Sequence, residues 1–327
     1  MRFPGNRIVK TAVAVFLTAF ICQLIGWPPV FAVITAIVTL EPTVSDSIKK
    51  GIVRFPASAI GSFYAVLFIA LFHNSPITYT LAAALTIITC FRLKLHDGLL
   101  VATITAIAMI EVVYDNYLMS FLIRLGTTTI GITVSTLVNL LIFPPDFMKD
   151  INKNLQTIYY ELGKTLLSLL ERDSQSISLN INHVNTLISK TEQLVHYEAS
   201  EIEYFKLQTE KQTDLAKAET ELEQLRFIRY HVNNLKNINL DDTTFNDANK
   251  HMIRNAVADI AYYMIGEKES IPEMHEEQLR HLMESYWTTK YAHIEKTHSQ
   301  LPVELVLLYE LISIVYLVDE IAELKRD

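Results

Sequence analysis

The sequence predicts an all-α protein in two parts: a six-helix transmembrane domain over residues 1–145 and a helical cytoplasmic domain over residues 146–327. Three observations predict it: six apolar stretches confined to the first part, Lys and Arg residues gathered at alternate stretch boundaries, and a change of charge at Pro144-Pro145. The stretches are residues 8–25, 29–40, 57–72, 77–91, 98–113 and 118–143. A straight membrane helix needs about 20 residues, so the second and fourth are short on their own. Residues 26–28, 73–76 and 114–117 hold no Lys or Arg. The alternate segments hold Arg2, Arg7 and Lys10, then Lys49, Lys50 and Arg54, then Arg92 and Lys94, then Lys149 and Lys153. Under the positive-inside rule this gives a multi-pass cell-membrane protein with six spans, surrounded by lipid, and both termini in the cytoplasm.

Charge divides the chain at the same place. Residues 1–145 contain nine Lys or Arg and five Asp or Glu, a formal +4, while the remainder contains 19 and 31 and carries −12. At Pro144-Pro145 a helix is expected to stop. The acidic second part argues against a nucleic-acid partner, which favours a basic surface, and against docking on anionic lipid. An acid excess also simply keeps helix faces soluble. The basic, then apolar, N-terminus has the outline of a secretory signal, but bulky Phe20 and Ile21 stand where a cleavage site needs small residues. It is therefore read as the first span. Cys22 and Cys90 lie in apolar stretches without CxxC or Cys/His spacing, which predicts packed thiols, no disulfide framework and no metal site.

The membrane part repeats itself. At a shift of 70 residues Ala32, Ile34, Thr35, Ala36, Ile37, Glu41, Arg54, Ile60, Gly61, Leu67 and Leu71 meet identical residues, ending at Leu141, without a gap. Matches among Ala, Ile and Leu are common in membrane helices. The pairs Glu41/Glu111, Arg54/Arg124 and Gly61/Gly131 are not. Each repeat has three spans, an odd number, so the two must enter the membrane in opposite senses. Inverted repeats of this kind typify transporters and place substrate near the midplane.

The paired polar residues are the first candidates for function. Arg124 lies six residues inside the last stretch, roughly 9 Å along a helix. A cation at that depth costs several kcal/mol unless it finds water or a partner. Arg124, and by symmetry Arg54 from the inner side, offers a guanidinium fork to a carboxylate. Glu41 and Glu111 are the candidate proton carriers. The competing structural reading is an Arg124 to Glu111 ion pair and an Arg54 that snorkels to the interface. Ala57 with Gly61, and Thr127 with Gly131, form small-xxx-small pairs that suit close helix approach, and Gly126 joins this packing set. Pro42 after Glu41 suits an ended or broken helix whose carbonyls face a cavity. His96 and Asp97 read as a solvated loop pair.

The run Arg124-Leu-Gly-Thr-Thr-Thr-Ile-Gly131, with Leu40-Glu-Pro-Thr43 and Lys49-Lys-Gly-Ile-Val-Arg54 upstream, resembles the bacterial aromatic acid exporter family. That family is related to the fusaric acid resistance proteins and, more distantly, to the plant aluminium-activated malate transporters. The resemblance covers the whole chain. It implies efflux, or channel-like passage, of organic and aromatic carboxylate anions, and a homodimer. In the first repeat Pro56-Ala57 stands where Gly-Thr follows Arg124, which makes Arg124 the stronger site residue.

The second part reads as helices over residues 151–170, 245–265, 274–297 and 302–324, with a polar break at 174–180. Between them, residues 181 to about 235 form one long segment with Leu215, Ala218, Leu222 and Leu225 at three- and four-residue steps. This suits a long hairpin or a coiled-coil arm, and the stripe suggests a second copy as its cover. The last segment begins at Pro302, ends in Lys325-Arg326 and contains Glu310, which predicts a buried soluble helix and not a seventh span. There is no Walker loop, GxGxxG or HExxH, so no enzyme, no cofactor and no ATP-driven step is indicated. His275, His281, His293 and His298 lack the four-residue step of a helical metal pair and read as solvated. Two function classes remain: a transporter or channel for organic anions, and a membrane-anchored interaction protein working through its cytoplasmic helices. Six spans in inverted halves exceed what an anchor requires, which favours transport.

Overall fold

The structure, a computed structural model, describes residues 5–112, 116–142, 146–206, 209–270, 272, 274–289 and 301–326. Arg2, the segment 113–115, Pro144-Pro145, His293 and His298 lie outside the described residues. Among those described there are twelve α-helices, two short 3-10 turns and no strand. The helices are α1 (Asn6–Ile25), α2 (Val30–Thr39), α3 (Val44–Phe72), α4 (Pro76–Arg92), α5 (Leu99–Ile110), α6 (Tyr117–Leu141), α7 (Phe147–Glu171), α8 (Ser174–Phe205), α9 (Thr209–Leu235), α10 (Asp247–Met264), α11 (Met274–Thr289) and α12 (Val303–Leu324). They divide into two compact units. The first holds residues 1–145 together with Ser200–Lys206, and the second holds the rest.

In the first unit the apolar stretches become helices, with one large change of boundary. Helix α3 begins at Val44, well before residue 57, because Thr43 Oγ1 accepts a hydrogen bond from the Asp46 N–H at 3.0 Å and caps it there. Lys49, Lys50 and Arg54 therefore sit on the helix, and Pro56 is carried inside it at the loss of one ladder hydrogen bond. Among the described residues three helices are long and apolar enough to cross a membrane: Arg7–Ile25, Val44–Phe72 and Tyr117–Leu141. The other three are shorter. Helix α2 has 10 residues and α5 has 12, about half the thickness of a bilayer core at about 1.5 Å per residue.

Polarity in this unit is the reverse of a water-soluble domain. Ser58, Ser62, Thr35, Thr105, Thr128 and Ser135 are fully buried, while Phe16, Leu24, Ile52, Leu118 and Leu141 are exposed. An apolar surface this continuous needs an apolar surrounding. Small and hydroxylated residues inside let backbones approach closely and satisfy their hydroxyls on helix carbonyls, as Thr35 does on Phe31 O and Ser62 on Ser58 O, both at 2.8 Å.

The same packing relation is made twice. Helix α2 packs on α6 and α5 packs on α3, while α1 lies against α2 and α6 and α4 lies against α5 and α3. At the first crossing a β-carbon on Gly61 would strike the carbonyl oxygen of Ala102, and at the second a β-carbon on Gly131 would strike that of Ala32. Both residues of the one contact are 70 positions from the corresponding residues of the other. Helices α3 and α6 also touch each other, and there Ser58 Oγ and Thr128 Oγ1 lie 3.2 Å apart, again a pair 70 residues apart. Gly126 has a different neighbour, the ring of Trp27.

The second unit has ordinary soluble polarity. Ile151, Leu155, Ile158 and Leu162 of α7, Leu225 and Ile228 of α9, Ile253 and Ile260 of α10 and Leu308 and Leu311 of α12 form its buried interior. Residues 174–180 are helical, not a break, because Asp173 Oδ1 receives the Gln175 and Ser176 N–H groups and starts α8 at Ser174. The long segment is two helices, α8 and α9, separated after Lys206. Leu215, Ala218, Leu222 and Leu225 are buried within the chain, where α9 packs on α7 and α12, so they leave no open stripe for a second copy. Helix α12 buries one side, with Leu308, Leu311, Ile314 and Val318 inward.

Candidate functional site

Arg54 and Arg124 occupy matched positions in α3 and α6, and both are buried. Their surroundings differ. Arg54 Nη2 reaches Glu41 Oε1 at 2.7 Å, Nη1 donates to Val38 O at 3.1 Å and Nε donates to Asp97 O at 3.2 Å. Lys50 Nζ lies 3.2 Å from the other carboxylate oxygen of Glu41. Burial alone would raise the Glu41 carboxyl, but the hydrogen bonds from Arg54 and Lys50 outweigh it and hold that group below the ordinary carboxylate range. Arg54 thus neither snorkels nor stands free. It neutralises Glu41 and closes the carbonyl left open where α2 ends.

Arg124 has no carboxylate partner among the described residues. Its Nη2 donates to Thr105 Oγ1 of α5, and its guanidinium carbon stands 4.5 Å from the centre of the Phe31 ring of α2. The N–H groups on Nε and Nη1 are buried without a partner among the described residues. Glu111, the acid that the sequence offered for an ion pair, instead accepts from the Tyr79 hydroxyl. A buried guanidinium with free donors and only a neutral hydroxyl and an aromatic face for company is costly. It is also ready for an anion: either edge of the fork presents a free N–H to an arriving carboxylate. Trp27, four residues before Phe31, packs on Gly126 two residues beyond the arginine, so two aromatic rings flank this stretch of α6.

Comparison with known proteins places the chain in a family. Residues 2–142 match the family model of aromatic acid exporter family member 1. A UPF0421 protein of Oceanobacillus iheyensis is 46% identical over 97% of this chain and 95% of its own length. One from Bacillus cereus (strain ATCC 10987) is 37% identical over 98% of this chain and 94% of its own, and one from Bacillus thuringiensis subsp. konkukian is 36% identical over 98% and 92%. The chain belongs to the aromatic acid exporter family. The resemblance read at Arg124 to Gly131 is borne out, and membership of an exporter family points to a membrane transporter. The matched segment contains both arginines and both packing glycines and ends before α7.

The two partners of Arg124, Thr105 and Phe31, and Trp27 at neighbouring Gly126, carry no signal of their own in the sequence. Thr105 appears there only as the repeat match of Thr35. A second polar group escapes the sequence altogether. Buried Lys10 donates to Asn139 Oδ1 at 2.8 Å, and Asn139 Nδ2 lies 3.0 Å from Glu41 O, Thr43 O and Ser47 Oγ. Glu201 Oε1 accepts the Ser45 N–H at 2.8 Å at the start of α3. The carbonyls freed after α2 are therefore capped by Arg54 and Asn139, and this end of the unit is closed by polar contacts. Among the described residues no group of three or more His, Cys, Asp or Glu could hold a metal ion. His275 departs from the solvated reading: it is buried, with Nε2 2.8 Å from Asp259 Oδ2. His281 is exposed, and Cys22 and Cys90 are buried free thiols.

Proposed function

We propose that this protein exports small aromatic carboxylates, with Arg124 as the group that receives the carboxylate. The observation that carries the proposal is the buried Arg124 guanidinium, whose Nε and Nη1 have no partner among the described residues. In a low-dielectric interior a free positive group attracts a carboxylate strongly, and ionisable residues at membrane depth are functional by default. Phe31 and Trp27 supply flat apolar faces for the ring of the cargo, and Thr105 is a neutral fallback partner when the site is empty. Arg54, already neutralised by Glu41, is proposed as a structural counterpart to the binding arginine. Glu111, whose partner is the neutral Tyr79, is the better candidate for a coupled proton than Glu41.

The spans belong to the same proposal. Six membrane helices in two inverted halves, with both termini and the second unit in the cytoplasm, accord with the alternation of Lys and Arg. The twofold repetition of the Gly61 to Ala102 and Gly131 to Ala32 contacts supports that arrangement, as do the half-length helices α2 and α5 beside the arginine.

Flux of radiolabelled benzoate into proteoliposomes tests the reading. The wild-type protein should carry it, Arg124→Ala should lower the rate at least tenfold while remaining folded, and Arg124→Lys should keep part of it, since Lys retains the charge and loses the fork. Dependence on an imposed proton gradient separates a coupled exporter from a channel. Benzoate passage by Arg124→Ala at the wild-type rate would sink the assignment.

A further inference from the structure

We infer that the second unit carries a separate binding site for a small aromatic carboxylate, in a cavity of about 260 Å3 between α7, α8, α9, α10 and α12. Its walls are apolar and include Leu170, Ile177, Ile253, Val257, Leu307 and Leu311. The charged residues that line it, Arg172, Lys236 and Arg254, are all basic. An enclosed apolar site of about 150 Å3 is enough to take up benzene, so the space here accommodates a substituted ring. Apolar walls with a few convergent polar groups are the usual composition of a small-molecule site.

The position of the carboxylate is marked by the chain itself. Asp241 lies between Arg172 and Arg254, with Arg254 Nη2 at 2.6 Å from Oδ1 and Arg172 Nη2 in contact with Oδ2. Lys250 Nζ adds a hydrogen bond to Asp241 O at 3.0 Å. One carboxylate held by two guanidinium groups at the edge of an apolar cavity is the contact that an amphipathic acid requires, here made by an internal group. Arg172 ends α7 with φ +58°, a left-handed position at which Gly or Asn is the usual residue. The backbone does not call for arginine there, whereas the cavity does. Asp241 is one carboxylate against the two guanidinium groups of Arg172 and Arg254, and Lys236 adds a further cation to the cavity lining, which favours an anion there. The ligand's ring fills the cavity and its carboxylate displaces Asp241 from the arginine pair.

This site uses neither Arg124 nor any other residue of the first unit, so it stands or falls separately from the transport reading. Calorimetric titration of the full chain in nanodiscs tests it, with benzoate as ligand and benzyl alcohol and acetate as controls. In an Arg124→Ala background, which removes the proposed membrane contact, one saturable benzoate site should persist, with both controls at least tenfold weaker. Arg172→Gln with Arg254→Gln should weaken benzoate at least tenfold. Both side chains are about half exposed, at 54% and 49%, so the core is left intact. Val257→Phe should remove binding by filling the cavity, and Asp241→Asn should tighten it severalfold by removing the internal competitor. The proposal is overturned if benzoate does not bind the Arg124→Ala protein, if binding is indifferent to the double arginine change, or if acetate binds as tightly as benzoate. Weaker binding to Asp241→Asn overturns the displacement of that residue.

Discussion

The two halves of the first unit use one packing scheme and two electrostatic solutions. In each half a short helix lies against the long helix of the other half over a glycine. Yet among the described residues Arg54 is bonded to a carboxylate and two carbonyls, whereas its counterpart Arg124 holds one hydroxyl and leaves two nitrogens unpaired. The difference lies in the acids. Glu41 turns back onto Arg54, while Glu111 is taken by Tyr79. Matched helix contacts can thus persist while one arginine is paired with an acid and the other, on the proposed reading, keeps its charge available for a ligand.

The largest expected effect separates these two solutions. Arg54→Ala strips Glu41 of its closest partner and leaves the Val38 and Asp97 carbonyls uncapped, and breaking a buried pair in this way costs about 3 kcal/mol or more. Lys50 remains beside Glu41 and softens the loss. Arg124→Ala removes a buried charge that has no counterion among the described residues, so it should not lower stability comparably. Thermal melting in detergent would show Arg54→Ala well below wild type and Arg124→Ala close to it. Equal losses in the two variants would erase the distinction drawn here.

Hydropathy and charge made the helices, the repeat and the family legible because each depends on contiguous composition or fixed spacing. The start of α3 was not legible: Lys49, Lys50, Arg54 and Pro56 interrupt the apolar window, although a single Thr43 cap decides the boundary. Nor were the partners of the arginines. Arg124 meets Phe31 across a sequence separation of 93, and which of two equivalent acids turns toward an arginine is fixed by tertiary geometry, since the 70-residue repeat makes the two acids identical in sequence. His275 misleads for a related reason, since its partner Asp259 lies on another helix. Apolar residues run through both α8 and α9 without a Gly or Pro between them, and the chain turns only after Lys206, at φ +48°.

A smaller effect tests what the halves share. On an open helix face Gly→Ala gains up to about 1 kcal/mol in helix propensity. At Gly61 and Gly131 the added β-carbon meets a backbone carbonyl that cannot turn aside, so Gly61→Ala and Gly131→Ala should each destabilise by about 1–3 kcal/mol, and by similar amounts. Gly126→Ala should cost less, because the Trp27 side chain in its way can shift. Melting temperatures of the three variants would check the order. A stabilised Gly61→Ala beside a destabilised Gly131→Ala would break the equivalence of the two crossings.

The smallest effect lies where the halves meet each other. Thr128 Oγ1 already donates to Arg124 O at 2.9 Å, so in its 3.2 Å contact with Ser58 the serine is the donor. A single neutral hydrogen bond contributes about 0.5–1.5 kcal/mol net, so Ser58→Ala should cost about that much and leave the Thr128 hydroxyl satisfied. The exchange Ser58→Thr with Thr128→Ser is more informative. It conserves total side-chain volume and both hydroxyls, and if α3 and α6 present equivalent positions at this contact, the pair should melt within experimental error of wild type. Each single change alone should be worse than the pair, because one leaves a methyl too many and the other one too few in a fully packed site. A double variant no better than the sum of its singles would mean that the two positions are not interchangeable, and that the symmetry of this unit stops short of its own centre.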